Sequence, residues 1–268
     1  MKKIYWLTVL TVLLGLLPGK RLEAADTYLP LIYNNYCSNQ HLSLNFLAFG
    51  DSITGCYYDD YYGWRDYPGS PEFPGCGYER RVYDWLNGYV GFCPGQLAYY
   101  NFGWGGENTS AGLARFLGTI TNPAADLHRL YPAGATVTAA DLVIIMEGTN
   151  DINQGVDPFI IEANLSNMIN QAKQAGKKVI IATIPPSFST VYPQGEQVIL
   201  NARIFELGIV HQVPVADVYN SLAGHPEYMD NVYNDGLHPN AAGFDQIAAV
   251  MYWTILDNPY WTILDLLN

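Results

Sequence analysis

The stretch Leu44-Asn45-Phe46-Leu47-Ala48-Phe49-Gly50-Asp51-Ser52-Ile53-Thr54 decides the reading of this chain. It begins as a short, mostly apolar run of the kind that forms a buried strand, and it breaks at Gly50. A serine stands two residues past the break, and another glycine follows at Gly55. A strand ending in Gly-Asp-Ser carries a small hydroxyl to the carboxyl edge of a sheet, where ligands bind in open α/β folds. A turn serine more often caps its own turn. A catalytic Ser52 therefore needs a base and an oxyanion site from elsewhere in the chain.

Helical and extended patterns alternate beyond this stretch. Residues 79–87 have apolar positions at helical spacing, with Gly88 as the stop. Residues 96–102 read as a second strand, followed by Gly103-Trp104-Gly105-Gly106-Glu107-Asn108-Thr109 and a helix over 110–117. Residues 142–146 form a continuous apolar run, the signature of a strand buried on both faces. They lead into Glu147-Gly148-Thr149-Asn150-Asp151. A helix over 159–175, a strand over 178–184, a helix over 196–210 and a strand over 213–218 follow. The loop Asp235-Gly236-Leu237-His238-Pro239 precedes a last helix over 240–252. This alternation predicts one α/β domain over 44–256, built on a doubly wound parallel sheet. Residues 257–268 are left as a tail. The hexapeptide Tyr-Trp-Thr-Ile-Leu-Asp occurs at 252–257 and again at 260–265, too short an echo for a structural repeat.

The amino terminus reads as an export signal. Lys2-Lys3 precede a largely apolar run from Ile4 to Leu17, Pro18-Gly19 break it, and Ala24-Ala25 offer small residues for cleavage. The run is shorter than the ~20 residues of a spanning helix, which disfavours the alternative of an uncleaved anchor. Residues 1–25 are thus expected to be a signal peptide, and 26–43 a linker or extended lead-in. The chain of 268 residues has a net charge of −12. Residues 1–25 hold four of the 13 basic and one of the 25 acidic side chains, so the remainder carries nine against 24, or −15. Nucleic-acid backbones and anionic membranes both require a positive face, so neither is an expected partner. Export makes Cys37, Cys56, Cys76 and Cys93 candidates for disulfides, with Cys56–Cys76 the favoured pairing among three possibilities. No Cys or His spacing suggests zinc.

Residues 55–78 hold six tyrosines and Trp64 among Asp, Gly and Pro. Such a segment is no regular helix or central strand. It either walls a substrate site beside Ser52 or packs its rings over the sheet edge.

Four loops carry polar residues that can converge on one edge: Ser52; Gly105-Gly106; Asn150; and Asp235 with His238. A serine hydroxyl becomes a competent nucleophile when an imidazole takes its proton, and a carboxylate fixes that imidazole's tautomer. Backbone N–H groups and the Asn150 amide can serve a tetrahedral oxyanion. The blocks Gly50-Asp51-Ser52, Gly106, Gly148-Thr149-Asn150-Asp151 and Asp235-x-x-His238 resemble those of the SGNH (GDSL) hydrolase family. The resemblance implies a flavodoxin-like three-layer sandwich with a five-stranded parallel sheet of order 2-1-3-4-5. It also implies ester hydrolysis without a cofactor or metal. Ser52 would be the nucleophile, His238 the base and Asp235 its orienter. Ser52, Gly106 and Asn150 would form the oxyanion hole, with Gly105 an alternative to Gly106. Asp51, Asp151, Asp217 and the other histidines receive no catalytic role.

The expected activity is that of a secreted serine esterase acting on a small-molecule or polysaccharide ester. Two alternatives are a carbohydrate O-acetylesterase and a non-catalytic carbohydrate-binding module on the same fold, since fold alone does not prove chemistry.

Overall fold

In the computed structural model, residues 43–56, 77–90, 96–123, 140–189, 194–229 and 235–266 are described, all within one unit spanning Leu42–Asn268. The expected signal peptide, nearly all of the lead-in, residues 57–76 of the tyrosine-rich segment, and Cys37, Cys76 and Cys93 lie outside them. The expected Cys56–Cys76 pairing lies outside with them.

Five parallel strands form the sheet: β1 (Leu44–Gly50), β2 (Leu97–Gly103), β3 (Leu142–Met146), β4 (Lys178–Ala182) and β5 (Val215–Ala216), in the order β2-β1-β3-β4-β5. This is the three-layer α/β architecture and strand order that the resemblance implied. The central strands are apolar on both faces because each feeds two cores, successive side chains pointing to opposite sides. On one face Phe46, Ala48, Ile144 and Ile180 pack beneath α1 (Gly77–Val90) and α7 (Ala241–Leu256). On the other, Leu47, Phe49, Ile145 and Ile181 pack beneath α2 (Thr109–Thr121), α4 (Pro158–Gln174) and α5 (Gln194–His211). Two short helices, α3 (Thr149–Asn153) and α6 (Val218–Leu222), start immediately after strand-end loops.

Several boundaries differ from the sequence pattern for local reasons. Gly88 does not stop α1; a side chain there would meet nothing, so the glycine is tolerated in an exposed last turn at the usual small cost. Beyond Ala182, where β4 ends, Thr183 N–H still bonds Ala216 C=O (3.0 Å), and at Ile184 the Asn201 side chain takes over, accepting from Ile184 N–H (2.8 Å) and donating to Ile184 C=O (3.1 Å). β5 shrinks to two residues because Asp217 already caps α6, accepting from Asn220 N–H at 3.2 Å.

The ends of β1 and β2 leave no room for side chains, β1 against β3 and its own following turn, β2 against the loop after β1. A Cβ on Gly50 would stand 2.2 Å from Met146 O, and one on Gly103 only 2.0 Å from Gly55 N. The chain after β1 therefore folds back directly over the sheet edge, and Asn101 secures it. Its amide donates to Thr54 C=O (2.6 Å) while its carbonyl accepts from Gly103 N–H (2.9 Å).

The repeated hexapeptide adopts two conformations. Residues 252–256 continue α7, whereas the second copy follows Asn258-Pro259, and proline cannot extend a helix. The Asn258 carboxamide accepts from both Tyr260 and Trp261 N–H (3.1 Å each), turning the chain back onto the α1/α7 core. Trp261 is consequently 8% exposed and Trp253, its counterpart, 62%. Trp261→Ala should cost about 3–5 kcal/mol in denaturant unfolding, as expected for truncating a large buried aromatic. Trp253→Ala should stay within about 0.5 kcal/mol. Equal effects would contradict this packing of the tail.

Candidate active site

Ser52 is the second residue of the loop after β1, at the carboxyl edge of the sheet, and is 8% exposed. Asp51 shapes this turn from within: its Oδ1 accepts from Ile53 N–H at 2.9 Å, and its C=O accepts from Gly55 N–H at 2.8 Å. The Ser52 hydroxyl thereby faces outward while Asp51 is buried.

His238 reaches Ser52 from the α7 layer. Its Nε2 lies 2.8 Å from Ser52 Oγ, and its Nδ1 lies 2.6 Å from Asp235 Oδ2. The three-residue spacing works because Asp235 folds its own loop, its Oδ1 accepting from Leu237 N–H (2.8 Å) and His238 N–H (3.0 Å). Gly236 occupies the left-handed region at φ +65°, and its carbonyl accepts from Phe188 N–H at 2.7 Å. A Cβ there would strike Ser189 N at 2.7 Å, so this loop seats on the segment after β4 only with glycine. Asn240 completes the support by capping α7 through Gly243 N–H (3.0 Å) and donating to Met229 C=O (2.9 Å). Burial works against the charge of Asp235, but the hydrogen bonds from the His238 ring and the two backbone N–H groups outweigh it. Its pKa is held below the usual carboxylate value.

The potential oxyanion donors come from the opposite layer. Trp104 to Glu107 form a turn closed by Glu107 N–H to Trp104 C=O at 3.1 Å, with Gly106 at φ +77°. That is the glycine-requiring position of a type II turn. The closing bond uses Glu107 N–H, so the Gly106 N–H belongs to the central peptide and stays outside the turn's ring. Among the described residues, neither Gly106 N–H nor Ser52 N–H donates to another group. The Asn150 amide nitrogen donates to Glu107 C=O at 2.8 Å, which orients one N–H and leaves the other for a ligand. The structure thus gathers the Ser52, His238 and Asp235 side chains, and links Asn150 to the turn that carries Gly106.

Further residues hold this arrangement without having stood out in the sequence. Arg115 pairs with Glu107 (Nη2–Oε2 2.5 Å) and donates to Phe102 C=O (2.8 Å), tying the turn to the end of β2. Asp151 accepts from both Thr109 N–H (2.7 Å) and Thr109 Oγ1 (2.6 Å), joining α3 to the first turn of α2. Asn101 was legible only as a polar residue near the end of an apolar strand, and Glu107 and Arg115 only as opposite charges eight positions apart. His211 and His225 instead bond Ser166 (2.8 Å) and Glu227 (2.8 Å), and Asp217 caps α6. Among the described residues, no three or more His, Cys, Asp or Glu side chains are grouped as metal ligands.

A set of carboxyls lies beneath the loops. Glu147 is fully buried, neither oxygen has a hydrogen-bond partner, and burial followed by the nearby Asp51 and Glu107 raises its pKa well above the usual value. Burial also raises Asp51 to about 6, partly offset by the Ile53 N–H and His238.

Residues 48–246 match the GDSL-like Lipase/Acylhydrolase family. Among solved structures, the lipase/acylhydrolase from Enterococcus faecalis is 25% identical, with a TM-score of 0.60 over 79% of this chain and 95% of that one. An acetyl xylan esterase from Geobacillus stearothermophilus, 20% identical, shares the fold with a TM-score of 0.58 over 82% of this chain and 99% of that one. A GDSL-like lipase from Bacteroides thetaiotaomicron, also 20% identical, does so with a TM-score of 0.53 over 82% and 94%. No curated protein matches the sequence.

Raising Asp51 from 3.8 to about 6 has a thermodynamic consequence. Between these values the unfolded chain has released the proton and the folded chain retains it, so stability falls as pH rises through the window. At about 1.4 kcal/mol per unit of pKa difference, the loss is roughly 3 kcal/mol. Asp51→Asn should flatten that decline between about pH 4 and 6 in denaturant titrations; an unchanged slope would show that Asp51 ionises normally in the fold.

Proposed function

The chain belongs to the GDSL-like lipase/acylhydrolase family and is a carboxylic ester hydrolase; on that premise we propose that it is a serine esterase working through Ser52, His238 and Asp235. The observation that carries this reading is the continuous line from Ser52 Oγ through the His238 ring to Asp235, at 2.8 and 2.6 Å. Asp235 accepts from Nδ1–H and so leaves Nε2 as the acceptor facing the serine. Ser52 Oγ attacks the ester carbonyl while its proton passes to His238 Nε2. The developing oxyanion is met by the Ser52 and Gly106 N–H groups and by the second N–H of the Asn150 amide. Gly106 is preferred to Gly105 because its N–H lies on the central peptide of the turn. Collapse of the tetrahedral intermediate expels the alcohol, which takes the proton from His238. A water molecule then attacks the acyl-enzyme with His238 again as base, restoring Ser52.

The substrate is a carboxylic ester, and deacetylation of a polysaccharide would employ the same groups. A panel of p-nitrophenyl esters from acetate to palmitate beside acetylated xylan separates the two. Ser52→Ala should abolish turnover of every substrate that the enzyme cleaves while leaving the melting temperature unchanged. Asn150→Ala should lower kcat by roughly 10²–10³, the effect of losing one oxyanion donor. Full activity in Ser52→Ala would refute the assignment.

Export is part of the same proposal and rests on residues 1–25. No helix among the described residues is long and apolar enough to cross a membrane. The secreted protein should have an intact mass lacking residues 1–25 and, with its cysteines paired, no titratable thiol under denaturing, non-reducing conditions. Retention of the leader, or four free thiols, would defeat this part.

A further inference from the structure

The outward face of α5 is apolar, in contrast to its neighbour in the same layer. The later turns of α4 expose Asn167, Asn170, Lys173 and Gln174, as a solvated helix does. α5 exposes Val198, Ile199, Ala202 and Phe205, and then Ile209 and Val210 at 72% and 74%. Glu206 is the only exposed charged residue among the described residues of α5. The inward face is apolar too, with Leu200, Ile204 and Leu207 in the core of this layer. A helix that is apolar all round belongs in a buried setting. Propensity gives no other reason for these residues, because Val and Ile are weaker helix formers than the Glu, Lys or Gln of an ordinary exposed face.

We propose that this face is the contact surface of a homodimer, in which α5 packs antiparallel against α5 of a second copy about a two-fold axis. Area and register both commit the face to that partner. Phe159, exposed at the start of α4, continues the patch, since the Arg203 guanidinium of α5 lies over its ring at 3.6 Å, and Ile160 adjoins it. The exposed parts of these side chains amount to roughly 700 Å², above the ~300–600 Å² of the largest apolar patch on an ordinary monomer and near the ~800 Å² per partner of a standard interface.

Register makes the face complementary to itself. Val198, Ala202, Phe205 and Ile209 are spaced four, three and four residues apart, the repeat of a seam shared by two packed helices. Positions 198 and 209 are symmetric about the middle of this stripe, and so are 202 and 205. A two-fold axis through that midpoint sets Val198 against Ile209 of the second copy, and Ala202 against Phe205 of the second copy, small beside large. An isologous interface demands this reciprocity. The chain carries a net charge of −12, so two copies repel each other over most of their surfaces and can meet where charge is scarce.

Sedimentation equilibrium of the purified protein at roughly 100 µM, above the micromolar Kd of a weak interface of this size, should give twice the chain mass. Added salt should tighten the dimer by screening the repulsion between acidic chains. Ile209→Glu and Val198→Lys, each alone, should raise Kd at least about a hundredfold, because each buries two unpaired charges. Phe205→Ala, which adds no charge, should raise it about tenfold. The double variant tests the register. Its two charges lie about 16 Å apart along one helix and cannot pair within a chain, but across the axis each lysine meets a glutamate. It should return Kd to within about tenfold of the unsubstituted protein. Unchanged far-ultraviolet circular dichroism will establish that these surface variants fold. A monomer at that concentration would overturn the proposal, whether the face then binds neutral phosphatidylcholine vesicles or residues 26–43 of its own chain. So would a dimer indifferent to the single substitutions, one dissolved by salt, or a double variant no tighter than the singles.

Discussion

The site depends on how closely the backbone is packed at the ends of β1 and β2. Gly50 and Gly103 are paired across β1 and β2, and neither has space for a Cβ against Met146 O or Gly55 N. Any larger residue would push the loop after β1 away from the sheet edge. Ser52 would then lose its fixed relation to the loops after β2 and β3, whose strands flank β1. The Asn101 side chain reinforces this contact from the β2 side by bonding Thr54 C=O. The rigidity of the nucleophile loop is thus a property of two strand ends, set before any catalytic group is considered.

With that loop fixed, the two helical layers carry different parts of the proposed catalytic machinery. His238 and Asp235 enter from the α7 layer, on a loop braced by Phe188 and Asn240. Gly106 and Asn150 enter from the α2–α4–α5 layer, joined by the Asn150 to Glu107 hydrogen bond. In the proposed mechanism the proton-transfer pair and two of the oxyanion donors are thus carried by loops from opposite layers of the sheet. The buried carboxyls beneath them follow from the same crowding. Asp51 and Glu147 are both shut off from water, and the favourable charges near them, His238 for Asp51 and the Glu107-paired Arg115 for Glu147, do not offset that burial, so both hold protons more tightly than usual.

Much of this was legible in the sequence because strand ends in a doubly wound sheet are marked by abrupt changes from apolar runs to glycine and polar residues. β1 and β3 were readable from apolar runs alone, and the strand order followed from the family resemblance. The sites of Ser52, Asn150, Asp235 and His238 stood out because each lies in a short block directly after a strand or before a helix. Less visible were the features that depend on contacts between distant segments. Nothing local distinguishes Trp253 from Trp261, since both sit in the same hexapeptide; only Asn258-Pro259 and the core that the second copy meets separate them. Likewise the bond from Asn101 to Thr54, and that from Asn150 to Glu107, span 47 and 43 positions and leave no periodic trace. Strand lengths were overestimated where a side chain such as Asn201 replaced the sheet ladder.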